Sequence, residues 1–215
     1  MKEICDHIRV RFDEMDRARE HTLGFSRKIL RSSGDAIKAI HRGDWELADS
    51  LVAETGGMVR QMNELLSDLP DIYYSGYVGN AQAEYAEVTV LRAVLRGTAI
   101  PSPQELKIDN AAYLNGVGDA IGELRRHILD LIRKGRPDES EMYLDVMDEF
   151  YTELMSFDYP DAITHGLRKK ADVARSLIER TRGDLTNALQ VKDLKNAMGQ
   201  FERQIKVDDR DPGQA

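Results

Sequence analysis

Residues 113–134, with the sequence YLNGVGDAIGELRRHILDLIRK, carry the pattern that decides the fold class. Their apolar side chains recur every three or four residues, which is the spacing of one face of an α-helix. That face consists of Tyr113, Val117, Ile121, Leu124, Ile128 and Leu131. A helix with one apolar face must bury it against other elements. The segment therefore predicts one helix of a packed structure.

The same periodicity extends over most of the chain, and the alternating pattern of strands is nearly absent. Glycine, proline and acidic residues at helix starts separate the periodic segments. Predicted helices cover residues 2–32, 45–66, 73–95, 109–133, 138–155 and 162–187, with a weaker helix over 191–205. SSGD (32–35) allows either a break or bend after the first helix or its continuation to residue 41. We therefore predict an all-α fold, a bundle of about six to seven helices.

Length and composition predict one compact domain. The chain has 215 residues, 41% of them hydrophobic and 32% charged, which is typical of a soluble globular protein rather than a disordered one. No linker-like segment divides it, so we predict a single domain over residues 1–205. Residues 206–215, KVDDRDPGQA, are polar and are predicted to form a flexible tail.

Charge, cysteine content and the lack of long apolar runs limit the cellular locations and the kinds of binding site that can be expected. The net charge of −8 argues mildly against unspecific binding to nucleic acid, although local basic clusters can override it. Cys5 is the only cysteine, which excludes an intrachain disulfide and a cysteine-based zinc site. No apolar run approaches the roughly 18 residues of a membrane span, and the charged N-terminal segment lacks the apolar core of a signal peptide. We therefore expect a cytoplasmic protein.

Two glutamates, Glu84 and Glu87, lie within QAEYAEV (82–88) on the predicted helix 73–95. On a helical wheel, Glu84 falls on an apolar stripe and Glu87 on its flank. The stripe comprises Tyr77, Val88, Leu91 and Leu95. Burying a carboxylate is costly unless it is paired or bound to a metal. The alternative is that the stripe ends before Glu84 and that both glutamates face water.

A second pair of acids, Asp119 and Glu123, lies on the helix 109–133, four residues apart and on the same face as Asn115. Three glycines lie close by: Gly116, Gly118 and Gly122. Glycines inside a helix cost about 1 kcal/mol each relative to alanine, and they permit close approach by another helix or by a ligand. Four carboxylates are suitable ligands for a hard cation such as Mg²⁺, or Mn²⁺ in its place. One or two such ions can promote the cleavage of a phosphodiester bond. The alternative is an ordinary solvated acidic face.

Three stretches of the chain resemble the translin family. AEYAEV (83–88) is similar to the glutamate motif of translin-associated factor X, the nuclease-active branch. YLNGVGDAIGELRR (113–126) resembles the signature helix of the family, and YPDAITHGLRKKADVARSLIERTRGDL (159–185) resembles its closing helical segment. The resemblance covers about residues 1–187, and the chain looks most like an archaeal homologue of the nuclease-active branch.

This resemblance implies a fold, an assembly and an activity. Family members are all-α bundles that assemble into hollow octameric barrels and bind single-stranded RNA and DNA, so the chain is expected to form a homo-octamer. The active branch is a Mg²⁺-dependent endoribonuclease. Carried over by position, the resemblance makes Glu84, Glu87, Asp119 and Glu123 the metal ligands and catalytic residues. Two alternatives remain: a non-catalytic translin-type shell that binds single-stranded nucleic acid, and a purely structural helical bundle.

Basic residues supply candidate contacts to phosphates. The candidates are Arg9, Arg11, Arg17, Arg19 and Lys28 on the first helix, with Arg125 and Arg126 beside the second acidic pair. Tyr85 is a candidate for stacking on a base, and its alternative is a place in the core. LRKK (167–170) is interpreted as a charged helix surface, and no role is assigned to His7, His21, His41 or His165.

Overall fold

The computed structural model describes residues 1–208, with side chains as far as Gln204. In this range the chain forms nine α-helices and one turn of 3-10 helix, and it contains no β-strand. The helices are α1 (Lys2–Arg42), α2 (Trp45–Leu65), α3 (Pro70–Tyr73), α4 (Gly76–Arg96), α5 (Pro103–Leu106), α6 (Asn110–Arg133), α7 (Glu141–Met155), α8 (Asp161–Thr164) and α9 (Leu167–Asp208). The 3-10 turn spans Pro137–Ser140. The all-α prediction is confirmed, with six long helices joined by short ones.

Local chemistry explains where the helices begin and end. Gly43 has a φ of 77°, in the left-handed region that glycine adopts easily, and it ends α1. The carboxylate of Asp44 then accepts a hydrogen bond from Leu47 N at 3.3 Å and caps α2. The carboxylate of Asp109 caps α6 in the same way by accepting from Ala111 N at 2.8 Å. These caps place the starts of α2 and α6 within one residue of the predicted positions.

The break that SSGD allows does not occur, and the alternative of a continuous helix is found. The helix α1 runs through this segment to Arg42, and Ser32 and Ser33 are buried. Thr55 Oγ1 donates a hydrogen bond to Ser32 Oγ at 2.8 Å, so a serine that weakens an isolated helix is satisfied between helices.

The helices predicted over 162–187 and 191–205 are instead the single-turn α8 followed by the continuous α9. The predicted start of the third helix at Tyr73 is also wrong, since α3 ends there and α4 begins at Gly76.

The helix α4 lies at the centre of the bundle. It packs against α1, α2 and α6, while α6 packs in turn against α7 and α9. Residues 85–91 of α4 are buried on every side, as expected of a helix with neighbours all round. The largest fully buried side chains include Ile29, Met62, Leu91, Ile121 and Met147, which join five of the long helices in one core.

The first helix and the last helix both extend from this core. Residues 6–14 of α1 and residues 193–198 of α9 are exposed. The helix α9 continues to Asp208, and residues 209–215, which belong to the predicted tail, lie outside the described residues. Within residues 1–208, none of the helices combines the length and apolarity that crossing a bilayer requires.

Candidate active site

The site is built where α4 and α6 come into direct backbone contact at Gly116. A Cβ atom added to Gly116 would lie 2.6 Å from Ala86 Cβ and 2.9 Å from Glu87 N, with Ala83 O closer still. Real Cβ atoms essentially never approach other atoms so closely, so only glycine permits this spacing. The sequence-based expectation of a close helix approach is thus met at Gly116, where it brings Glu87 against α6.

Glu87 is a buried residue next to this contact. It is only 8% exposed, and its side chain makes no hydrogen bond among the described residues. Burial is the main cause that raises its pKa to about 8, from an ordinary value of 4.5. The negative charges of Glu84, Asp119 and Glu123 add to this rise. All four acids predicted from the sequence therefore lie close enough to interact, and we call them the acidic cluster.

The burial order of the two glutamates differs from the helical wheel. Glu84 was predicted on the apolar stripe and Glu87 on its flank, but Glu84 is half-buried and Glu87 is buried. The wheel fails because α4 is covered on several sides, so no single stripe defines its interior. Burial also raises the pKa of Glu84, with a further rise from Asp119, and Lys170 acts in the opposite direction.

Two basic side chains from other helices hold the acids of α6. Lys170 Nζ, on α9, forms a short ion pair with Asp119 Oδ2. His41 Nε2, near the end of α1, donates to Glu123 Oε2 at 2.6 Å, and its side chain is only 4% exposed. The His41 hydrogen bond is the largest cause that lowers the pKa of Glu123, and Arg126 at 3.5 Å also lowers it. The acidic cluster is thus enclosed by α1, α4, α6 and α9.

His41 and Lys170 are site residues that the sequence interpretation missed. His41 was assigned no role, and Lys170 was interpreted as part of a charged helix surface. They lie 82 and 51 residues from their partners in the chain. Neither has a local spacing signal, because the contacts exist only after α1 and α9 pack beside α6.

The donor chemistry of the acidic cluster fits a hard divalent cation. All four side chains offer carboxylate oxygens, the ligands that Mg²⁺ prefers. In the conformation described, no group of three or more potential ligand side chains within residues 1–204 is arranged to hold a metal. In this conformation Asp119 is paired with the Lys170 ammonium group, and Glu123 accepts a hydrogen bond from His41, so both acids are engaged by other side chains. The raised pKa of Glu87 marks a place where positive charge would be stabilising.

The predicted phosphate-contacting residues lie in different environments. Arg9 pairs with Asp6 at 2.6 Å, Arg11 with Glu14 at 3.4 Å and Arg19 with Glu20 at 2.7 Å, all on the exposed surface of α1. Such exposed pairs stabilise little and open easily. Arg17 and Lys28 are exposed on the same helix. The structure brings none of these five residues into contact with the acidic cluster.

The two arginines of α6 differ from each other. Arg125 is turned towards α9, where it donates to Thr181 Oγ1 at 2.8 Å and pairs with Asp184 at 2.9 Å. Arg126 has a side chain that is 53% exposed and lies beside Glu123. Tyr85, the predicted stacking residue, is only 7% exposed and belongs to the core. Arg126 is therefore the predicted basic residue that lies at the acidic cluster.

Comparison with known proteins identifies relatives along most of the chain. No family model matches it. The uncharacterized protein MJ0175 of Methanocaldococcus jannaschii is 34% identical over 178 residues, which are 81% of this chain and 78% of that protein. The crystal structure of AfC3PO has a TM-score of 0.82 at 33% identity, covering 89% of this chain and 98% of that chain.

Two further solved structures extend the comparison. The complex of AfC3PO with duplex RNA has a TM-score of 0.81 at 32% identity, again over 89% of this chain and 98% of that chain. The structure of apo-NeC3PO has a TM-score of 0.78 at 22% identity, over 86% and 96% of the two chains, and it shares the fold.

Proposed function

The chain belongs to the translin family of C3PO-like proteins, and from that premise we propose that it binds RNA and cleaves it as a Mg²⁺-dependent endoribonuclease. A relative with 32% identity is found in complex with duplex RNA. The observation that carries the catalytic part is the acidic cluster, with Glu87 buried among three other carboxylates. A purely structural role does not account for a buried acid placed next to like charges.

The acidic cluster would hold the ion through Glu84, Glu87, Asp119 and Glu123. Mg²⁺, or Mn²⁺ in its place, would supply an activated water and would stabilise the charge of the leaving oxygen in phosphodiester hydrolysis. Glu87, which is largely protonated at neutral pH in the metal-free protein, would bind the cation in its ionised form.

The surrounding basic residues position the acids and the substrate. The hydrogen bond from His41 fixes the orientation of the Glu123 carboxylate. Lys170 lies beside Asp119, where its ammonium group would be within reach of a substrate phosphate. Arg126 has an exposed side chain at the same edge and can contact a neighbouring phosphate.

A cleavage assay on a labelled single-stranded RNA tests this proposal. Wild type, Glu84→Gln and Asp130→Asn are each incubated with Mg²⁺ and with EDTA. Asp130 is the matched control, since it is a partly buried acid like Glu84 but lies near the end of α6, where it pairs with Arg133 rather than with the acidic cluster. We expect cleavage by wild type and by Asp130→Asn with Mg²⁺ only, and a loss of at least about a hundredfold in Glu84→Gln. Full cleavage activity of Glu84→Gln in Mg²⁺, or of wild type in EDTA, would contradict the proposal.

A second candidate function is a nucleic-acid-binding shell without catalysis. The observation that favours it is the pairing of Asp119 with Lys170 and of Glu123 with His41, which leaves no convergent set of ligands in the described conformation. It predicts binding of single-stranded RNA or DNA that weakens steeply with salt, and no product in any metal. Binding without cleavage in the assay above would select this function.

We further propose that the protein acts as a homo-oligomer, an octamer by family resemblance. Apolar side chains on the extended ends of α1 and α9 support this assembly, because the single chain leaves them exposed: Ile4, Ile8, Phe12, Leu194, Met198 and Phe201.

The single free cysteine, Cys5, suits the reducing cytoplasm, which we propose as the location.

A further inference from the structure

A cavity of about 420 Å³ adjoins the acidic cluster. Tyr73 and Tyr74, at the turn between α3 and α4, line one part of it, and Glu84, Asp119 and Lys170 line another. The volume falls within the range of roughly 300 to 1,000 Å³ that is typical of small-molecule sites. One space therefore connects aromatic rings with the carboxylates and a cationic side chain.

The aromatic part of the cavity is open to a planar ligand. Tyr74 is 67% exposed, and its ring packs edge-on against that of Tyr73, with ring centroids 5.1 Å apart and planes at 89°. This contact orients Tyr74 while leaving much of the residue accessible. Aromatic side chains in such positions stack on nucleobases.

Asn115, which lines the same cavity, carries an unsatisfied polar atom. Asn115 is only 6% exposed, and its Nδ2 donates to Ala111 O at 2.8 Å and to Thr164 O at 2.9 Å. These two bonds fix the amide so that Oδ1 is an acceptor, and Oδ1 is buried without a partner. A buried acceptor left unpaired costs about 1–3 kcal/mol. A ligand that donates an N–H group to Oδ1 would remove this cost.

We propose that this cavity binds the base of one unpaired nucleotide of an RNA strand, next to the phosphate held at the acidic cluster. The base stacks on Tyr74, and an N–H group on its edge donates to Asn115 Oδ1. The phosphate lies towards Lys170, which lines the cavity with Asp119. This inference rests on the proposed RNA function and adds to it a site for an unpaired base, with a preference for bases that present an N–H donor.

Binding measured in EDTA tests the base site without any contribution from cleavage. Fluorescence anisotropy is recorded with a labelled RNA of about twelve nucleotides, once as a single strand and once as a blunt duplex, whose bases are all paired. We expect Tyr74→Ala to weaken binding of the single strand roughly tenfold and to leave the duplex unchanged. Tyr74→Phe keeps the ring and should bind as wild type does.

Tyr159→Ala is the matched control for loss of an exposed tyrosine. Tyr159 is 61% exposed and lies outside the cavity lining, so its removal should change neither affinity. An equal loss on both RNAs in Tyr74→Ala, or no loss on either, overturns the base site.

The preference for an N–H donor is tested with two pyrimidine strands of equal length. Oligocytidine carries the N4 amino group, whereas the base of an oligomer of N3-methyluridine has no N–H group that could donate to Asn115 Oδ1. Wild type is expected to bind oligocytidine roughly tenfold more tightly, and equal or reversed affinity overturns the preference. If the protein binds RNA in EDTA but never cuts it in Mg²⁺, the nuclease proposal is wrong and the base site is still supported. If wild type binds no RNA at all, both proposals are wrong.

Discussion

At the residue scale, Glu87 defines the candidate site. A buried carboxylate without a hydrogen-bond partner among the described residues is costly, and three further acids nearby increase the cost. With its pKa raised to about 8, the isolated protein holds Glu87 largely protonated at neutral pH. The free-energy cost of burying this side chain is small when it is protonated and large when it is ionised. A divalent cation would reverse that preference, which links stability, pH and metal at one side chain.

The stability of the metal-free protein should therefore fall as pH rises. In the unfolded chain Glu87 loses its proton near 4.5, whereas in the folded protein it keeps it to about 8. The folded state binds more protons between these values, so this contribution is fully present below about pH 4.5 and is lost as pH approaches 8. We expect wild type to lose roughly 2–4 kcal/mol relative to Glu87→Gln between pH 5 and pH 8. Urea unfolding of both proteins in EDTA measures the difference.

The comparison has a built-in control, since glutamine matches the shape of glutamate and carries no titrating proton. Other titrating groups are shared by the two proteins and cancel in the difference between their profiles. Parallel profiles would show that Glu87 titrates normally and is not buried as described.

At the element scale, the contact between α4 and α6 at Gly116 sets the position of the acidic cluster. The missing side chain lets the α6 backbone lie against Ala83, Ala86 and Glu87. Gly118, two residues further along α6, lies against the side chain of Lys170. A Cβ atom added to Gly118 would lie 3.4 Å from Lys170 Cβ. One glycine is thus required by backbone contact, and the other borders a flexible side chain.

Alanine substitutions at the two glycines should have different effects. Gly116→Ala forces α4 and α6 apart, so we expect a loss of about 1–3 kcal/mol or more in the free energy of unfolding. Gly118→Ala removes a helix-weakening glycine at an ordinary contact distance, so its effect should stay within about 1 kcal/mol. Denaturant unfolding of both variants decides the matter, and equal stabilities would contradict the close contact at Gly116.

At the scale of the whole molecule, the two longest helices extend beyond the core. On the end of α9, Val191, Leu194, Met198 and Phe201 are all at least half exposed. Their spacing of three, four and three residues is that of a heptad seam, which normally packs against another helix. The described part of the single chain leaves this seam uncovered, which suits burial between subunits.

A charge placed in the seam should weaken assembly. We expect Leu194→Asp to lower the molar mass measured by sedimentation velocity, because an aspartate at a buried subunit contact is strongly unfavourable. Asn196→Asp adds the same charge on another face of the helix and should leave the mass unchanged. If Leu194→Asp sediments as wild type does, the seam is not a subunit interface.

Local pattern was sufficient for the fold class and for several helix ends. Apolar spacing and caps predicted that α2 begins at Trp45, that α6 ends at Arg133 and that α7 ends at Met155, as found. These features depend on residues within one or two turns of each other, which a sequence displays directly. The four acids that lie together in the structure were also singled out from the sequence, and family resemblance rather than spacing alone made them candidate ligands.

Tertiary structure alone decided which groups surround those acids. The pairing of Glu123 with His41 and of Asp119 with Lys170 joins residues that are distant in the chain. The burial of Glu87 rather than Glu84, and the cavity beside Asn115, likewise depend on how whole helices pack. Helical periodicity repeats every 3.6 residues and records which face of a helix is apolar. It contains no information about which distant helix covers that face, because that choice follows from the packing of the complete core.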